Sequence, residues 1–459
     1  MFKEDTIVAI STPPGDGAIG IVRMSGEMSL EIANKSFRQI NGVAIGTQDH
    51  RHMLYGHIVK DEVVLDEVLV VPMFAPATYT REDIVEIHCH GGIVPLPEIV
   101  RFVLDQGARM AEPGEFTKRA FLNGRLDLAQ AESIMDLIRA KTPQGFNVAY
   151  SQLEGHLSKR VNDIRVSLLT AMAHLEVCID YPEEDIEEMT YSEMTETFGA
   201  VKIAIAELLE NSETGRILRE GLSTVIVGKP NVGKSSLLNA LLRESRAIVT
   251  EIPGTTRDII EETLNIKGVP IKLVDTAGIR ETEDIVEKLG VERSKAFFNK
   301  ADLVIFVLNA AEALSEEDES IMGYLKDRRA IVLLNKSDLE PVMDVDSLQA
   351  RLENIPVIRT SLLQEEGIEA LEEEIAKMVY GGQVSLGNRA LVTNLRHQDA
   401  LRRADQSMAD ALKACHEGLP YDFMQVDVKN GFEALGEITG ETLEEDVVAK
   451  IFSQFCLGK

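Results

Sequence analysis

Gly228-Lys-Pro-Asn-Val-Gly-Lys-Ser-Ser236 decides the fold of this 459-residue chain. It follows the apolar run Val225-Ile-Val227 and opens the helix-like stretch Leu237-Leu-Asn-Ala-Leu-Leu242, so it reads as strand, glycine loop, helix. A glycine-permitted turn lines up successive backbone N–H groups, and the positive end of the following helix adds to them. The result is a concave anion site. Asn231, Val232 and Gly233 form the turn, Lys234 supplies a mobile positive charge, and Ser235 and Ser236 open the helix. The Ser235 hydroxyl is placed to ligate Mg²⁺, so the expected occupant is a nucleoside triphosphate.

Later stretches narrow the nucleotide. Asp275-Thr276-Ala277-Gly278 ends the apolar run Ile271-Lys-Leu-Val274, where a carboxylate reaches the magnesium shell and the Gly278 N–H senses a γ-phosphate. Asn335-Lys336-Ser-Asp338 ends another run, Ile331-Val-Leu-Leu334. The Asp338 carboxylate can accept two hydrogen bonds from the guanine edge and would meet an unmatched acceptor on adenine, which selects GTP over ATP. Between these lies Thr250-Glu-Ile-Pro-Gly-Thr-Thr-Arg-Asp258, with Thr256 placed to complete the Mg²⁺ shell only while a γ-phosphate is present. That is the pattern of a switch loop.

One feature of Ras-type GTPases is missing. They place Gln directly after the D-x-x-G glycine to orient the attacking water; here that position is Ile279, which cannot hold a water. The acidic run Arg280-Glu-Thr-Glu-Asp-Ile-Val-Glu287 reads either as a solvated helix start or as the source of a substitute. Asn231 reads either as a turn former beside Pro230 or as a ligand to a monovalent cation against the phosphates.

Length suggests several domains, and the composition is that of a globular protein with large cores. The net charge of −29 argues against a protein that coats nucleic acid nonspecifically, because Lys and Arg supply most of that affinity. The start, Met1-Phe-Lys-Glu-Asp-Thr-Ile-Val8, lacks a basic and long apolar leader, and no apolar run reaches membrane-spanning length. A cytoplasmic protein without membrane contact is expected. Cys89, Cys178, Cys415 and Cys456 are too scattered for a disulfide framework.

Along the chain, residues 1–118 read as mixed α/β, with strands at Thr6-Ile-Val-Ala-Ile10, Glu67-Val-Leu-Val-Val71 and Asp83-Ile-Val-Glu-Ile87. His88-Cys89-His90 looks like a metal site, but adjacent residues on a strand point to opposite faces, so it reads as a strand end. Residues 119–216 are helical: Leu128, Ala131, Met135 and Ile138 share a face. Phe146, Ala149, Leu153, Leu157, Val161, Ile164, Leu168, Met172, Leu175 and Ile179 predict one long amphipathic helix. A further helix carries Phe198, Val201, Ile205 and Leu208. Residues 217–380 alternate strands and helices as a doubly wound P-loop GTPase domain of Ras-like type. Residues 381–459 are helical again, with faces Leu401, Ala404, Met408, Ala411, Cys415 and Leu443, Val447, Ile451, Phe455. The expected fold is therefore multidomain, α/β plus all-α, with the GTPase inserted into a discontinuous helical domain.

The chain resembles the bacterial and organellar tRNA uridine-modification GTPases, the MnmE (TrmE) family, over its whole length. The resemblance is carried by Thr12-Pro-Pro-Gly15, Pro113-Gly-Glu-Phe116, Ala120-Phe-Leu-Asn-Gly-Arg-Leu-Asp-Leu-Ala129, Gly228–Ser236, Ile252-Pro-Gly-Thr-Thr-Arg-Asp258 and Phe455-Cys-Leu-Gly-Lys459. It implies a folate-binding-type N-terminal domain that forms a homodimer and binds a reduced folate of the 5,10-methylenetetrahydrofolate type. It also implies an FAD-dependent MnmG-type partner, in a heterotetramer-like complex that builds an aminomethyl or carboxymethylaminomethyl group on C5 of wobble uridine in tRNA. GTP hydrolysis would pair the G domains and depend on K⁺, held by Asn231, Thr250, Ile252 and Thr255, with Glu287 orienting the water. Arg23, Glu82, Arg125 and Lys459 map to the folate site, and Cys456 to a nucleophile or acid of the modification. A basic patch of Lys118, Arg119, Arg139, Lys141, Lys159 and Arg160 is the candidate tRNA contact. The family's Ser-Ala pair near the guanine reads Thr360-Ser-Leu-Leu here. A regulatory or ribosome-assembly GTPase switch is the alternative reading of the same G domain.

Overall fold

The structure, a computed structural model, describes residues 5–13, 15–180, 191–244, 263–274, 301–326, 328–343, 345–381 and 390–458. Described residues up to Met135 form one compact unit with those from Phe432 onward. Described residues between Asp136 and Gly431 form a second.

In the first unit, runs of alternating apolar residues make a seven-stranded sheet: β1 (Ile7–Ile10), β2 (Ile19–Ser25), β3 (Phe37–Gln39), β4 (Leu54–Lys60), β5 (Val63–Met73), β6 (Ile84–His90) and β7 (Arg109–Met110). Their order is β3-β4-β5-β6-β2-β1-β7, and only β1 and β7 run parallel. Val22, Met24, Val68, Val70, Val85 and Ile87 turn to one face and pack with Ile32 of helix Ser29–Ser36 and Ile99 and Val103 of helix Pro95–Asp105. Period two also sorts the His88-Cys89-His90 triplet. Cys89 is buried, 3.4 Å from the Gly20 carbonyl, while His88 lies 3.3 Å from Glu86 Oε2 and His90 2.7 Å from Asp66 Oδ1.

Helices complete this unit. Leu128, Ala131 and Met135, at the start of helix Leu128–Arg139, meet Val448 and Phe452 of helix Glu445–Phe452, and Phe455 beyond it. Of the expected face, Phe455 is buried and Leu443 and Ile451 pack against this cluster, but Val447 gives way to its neighbour Val448. Val448 and Phe452 are buried, whereas Val447 is 38% exposed. Both members of each apolar pair, Val447-Val448 and Ile451-Phe452, suit a core, so periodicity alone does not choose between them.

In the second unit, the expected single long helix is two. Thr142 caps Pro143–Leu153 by accepting a hydrogen bond from the Gly145 N–H at 3.1 Å. Gly155, at φ +85°, then ends the turn before His156–Asp180 begins. This left-handed conformation suits glycine, and the apolar spacing runs on across it, which hid the break. Helix Leu395–His416 packs along helix Tyr191–Glu210, pinned by Lys202 to Asp405 at 2.7 Å. The Gln152 amide donates to the Leu391 carbonyl at 2.7 Å. Helices from before and after the nucleotide-binding stretch therefore share one core. Helix Ser212–Glu220 and helix Tyr421–Thr439 were not foreseen.

The second sheet holds β8 (Leu222–Val227), β9 (Thr263–Ile266), β10 (Val269–Leu273), β11 (Leu303–Asn309), β12 (Ala330–Asn335) and β13 (Val357–Arg359). Its order is β13-β12-β11-β8-β10-β9, parallel except for β9. β11 and β12 are buried throughout, as expected of a sheet covered on both faces. Among the described residues no helix is long and apolar enough to cross a membrane.

Candidate functional site

Parallel strands place their carboxyl ends on one edge, where the loops after β8 and β12 meet. The loop after β8 leads into helix Lys234–Glu244. Gly233 sits at φ +114°, and a Cβ there would stand 2.2 Å from Asn335 Nδ2. Only glycine lets the β12 end come this close. Asn335 uses that approach: its Nδ2 donates to the Val232 carbonyl at 2.7 Å and its Oδ1 accepts from the Leu362 N–H at 3.1 Å. One buried amide thus ties the phosphate loop to the loop after β13.

Lys234 Nζ donates to the Gly228 and Lys229 carbonyls, both at 2.6 Å. Burial lowers its pKa below the usual lysine value, opposed by the nearby Glu317 carboxylate. Asn231 is exposed at φ +61°, and Ser235 and Ser236 are exposed at the head of the helix. At the base end, Lys336 takes φ +64° and Ser361 Oγ donates to Asp338 Oδ1 at 2.6 Å. The Asp338 carboxylate is thereby fixed in direction with its other oxygen unclaimed by that bond. Leu362 stands where Ala was expected, and it fits. Its side chain joins the core beside Gly233, and only its backbone faces Asn335. Thr250, Ile252, Thr255, Thr256, Asp275, Thr276, Ala277, Gly278, Glu287 and Lys459 lie outside the described residues.

The first unit gathers a second group. Two guanidinium groups approach the Tyr79 ring, Arg125 at 4.7 Å and Arg23 at 6.0 Å from its centre, and the Tyr79 hydroxyl lies 2.8 Å from Thr117 Oγ1. Arg23 also pairs with Glu86 at 2.7 Å and lies 5.8 Å from the Phe116 ring. Glu82 accepts from Ser25 Oγ at 2.7 Å and from Arg119 Nη1 at 3.1 Å. The exposed Cys456 is tied to this unit by its carbonyl, which accepts from the Gly114 N–H at 3.2 Å.

Arg119 does not belong to a surface basic patch. It is 3% exposed, and its guanidinium is held by Asp5 Oδ1 at 2.6 Å, Glu115 Oε1 at 3.0 Å and Glu82. Arg109 closes the cluster through Asp5 at 2.7 Å and Glu115 at 2.6 Å. A buried charge needs such partners, so this arginine is structural. Arg160 is likewise paired, with Glu207 at 2.9 Å, while Lys141 and Lys159 are exposed. Sequence reasoning missed Tyr79, the bond from Ser361 to Asp338 and the holding role of Arg119. Each acts by touching a residue far away in the chain.

Comparison with known proteins places the chain in a family. Residues 6–125 match a family model described as the GTP-binding protein TrmE N-terminus, and residues 128–456 match one described as the MnmE helical domain. The chain is 56% identical over 461 residues to a tRNA modification GTPase MnmE of Alkaliphilus oremlandii, across 100% of both chains. It is 52% identical to the protein of that name from Clostridioides difficile, again over 100% of both, and 52% identical to that of Bacillus subtilis, over 99% of this chain and 100% of the other. Matched over its whole length by these relatives and by both family models, the chain belongs to the MnmE family of tRNA modification GTPases.

Proposed function

We propose that this chain hydrolyses GTP to drive the addition of an aminomethyl or carboxymethylaminomethyl group to C5 of wobble uridine in tRNA. It acts in the cytoplasm as a homodimer with an FAD-dependent MnmG-type partner. The observation that carries the reading is the presence of two chemically different sites in one chain. One is a phosphate loop joined by Asn335 to the loop after β13, with Asp338 held by Ser361, which we read as guanine-selective; the other is an N-terminal cluster with two cationic groups, a ring and a carboxylate. A pure switch has no use for the second.

The division of labour follows the chain. Residues 217–380 bind and hydrolyse GTP; residues 1–118 hold a reduced folate and pair the subunits; residues 119–216 and 381–459 form the helical frame that ends in Cys456. The N-terminal donor set fits a folate. Arg23 and Arg125 approach the Tyr79 ring, where a guanidinium can take a glutamate carboxylate, and Glu82 is an acceptor for a pterin edge. When bound, the folate supplies the one-carbon unit. Lys459 completes this set. Ser235 and Thr256 would hold Mg²⁺, and Asn231, Thr250, Ile252 and Thr255 would hold K⁺, which adds positive charge where other systems insert an arginine. Glu287 takes over the water that Ile279 cannot orient. Cys456 is exposed and free to act as nucleophile or acid.

The test is Cys456→Ser in cells that lack the wild-type protein, with nucleosides of bulk tRNA read by mass spectrometry. Loss of the modified wobble uridine with GTP turnover intact supports the reading. Wobble uridine still modified to the wild-type level in cells lacking the whole protein would count against it and favour the regulatory switch.

A further inference from the structure

The phosphate loop carries a second lysine that the proposed chemistry does not use. Lys229 follows Gly228, and its ammonium is paired with Asp318 Oδ2; the two side chains are 19% and 3% exposed. Asp318 is the third residue of helix Glu316–Leu325. It is fixed by a capping box, with its Oδ2 accepting from the Ser315 N–H and Oγ, both at 2.9 Å, while its own N–H donates to Ser315 Oγ at 3.3 Å. Its other oxygen, Oδ1, is buried with no hydrogen-bond partner.

Such an arrangement is costly unless it holds something in place. A buried carboxylate beside a site built for triphosphate would repel the ligand if left bare. Paired with Lys229, it is neutral and grips the loop. The backbone carbonyl of that same Lys229 receives the Lys234 ammonium at 2.6 Å. Asp318 thus anchors the residue on which the phosphate-binding lysine rests.

We infer that Asp318 is a positioning residue for GTP binding, acting through Lys229 to hold the phosphate loop, and that Lys229 serves to neutralise Asp318 rather than to contact phosphate. The inference separates two roles that a single substitution would confuse. Removing Lys229 leaves the buried Asp318 carboxylate without its cation, held only by Ser315. Removing both charges takes that penalty away.

The test measures the dissociation constant of a fluorescent GDP or GTP analogue, with KM and kcat for GTP, in Asp318→Asn, Lys229→Met and the double variant. Asp318→Asn should weaken binding and raise KM by roughly three- to tenfold with kcat at saturating GTP held. Lys229→Met should weaken binding by more than about tenfold, and the double variant should recover at least about threefold of that loss, within the usual range of coupling between contacting residues. Additive losses, or a double variant no better than Lys229→Met, would overturn the inference and make Lys229 a phosphate ligand. Melting curves of all three separate misfolding from mispositioning, since the double variant must bind better than Lys229→Met at equal folded fraction.

Discussion

Arg119→Met tests the ion cluster beneath the N-terminal site. The substitution keeps the length of the side chain but removes the cation shared by Asp5, Glu82 and Glu115. Removing one partner from a buried ion pair costs about 3–5 kcal/mol. The Asp5 and Glu82 carboxylates are 24% and 27% exposed, so water takes up part of the lost interaction, and Arg109 still holds Asp5 and Glu115. The expected cost is therefore at the low end, about 3 kcal/mol. For a unit of this size that is a melting shift of roughly 6–12 °C. Calorimetry of the full chain, with hydrogen exchange on peptides from β2 and helix Glu115–Leu122, assigns the loss to this unit. Acidity supplies a second check. A hydrogen bond from Arg109 holds the Asp5 carboxyl below the usual range; burial pushes Glu115 up, but its bonds to Arg109, the Glu112 N–H and Arg119 bring it below the usual range. Carboxyls lowered in the folded state contribute stability above their unfolded pKa values, near 4, and lose it as pH falls through the folded values. The gap between wild type and variant should accordingly narrow from pH 7 to about pH 3. A shift under about 2 °C at pH 7, or a gap that does not change with pH, would refute the reasoning.

Two further outcomes follow from the nucleotide site. Asn335→Ala removes both bonds that join the phosphate loop to the loop after β13, leaving a buried carbonyl and N–H unpaired; at about 1–3 kcal/mol each, affinity for a fluorescent GTP analogue should fall by roughly 30-fold or more. GTP hydrolysis by the purified protein should be faster in potassium than in sodium chloride at equal ionic strength; equal, slow rates would remove Asn231 as a cation ligand.

What was legible in the sequence was whatever rests on local order. The phosphate loop declares itself by three residue types at fixed spacing between a strand and a helix, and Asn335 and Asp338 by ending an apolar run. The helix face of Leu401, Ala404, Met408, Ala411 and Cys415 is buried as the period requires. The break at Gly155 was hidden because a single αL residue hardly disturbs an apolar period. Strands β2, β3 and β4 escaped notice for another reason: their exposed faces mix polar and apolar residues, so alternation is faint. Arg119 was misjudged because a basic residue beside Lys118 looks like surface until its carboxylates, from Asp5 and Glu82, are seen to converge on it. Ser361 and Tyr79 show the same limit, since contact partners distant in sequence leave no local mark.

The first unit closes only with the segment from Phe432 onward, whose Val448, Phe452 and Phe455 cover Leu128, Ala131 and Met135. During synthesis, the N-terminal sheet therefore emerges from the ribosome long before its last layer exists. The intervening GTPase and helices are made while that apolar patch is bare. Completion waits on a contact between the two ends of the message, which slows closure and leaves an aggregation-prone intermediate that a chaperone can shield. A nonsense codon between Gly431 and Val448 would thus damage the beginning of the protein as well as its end.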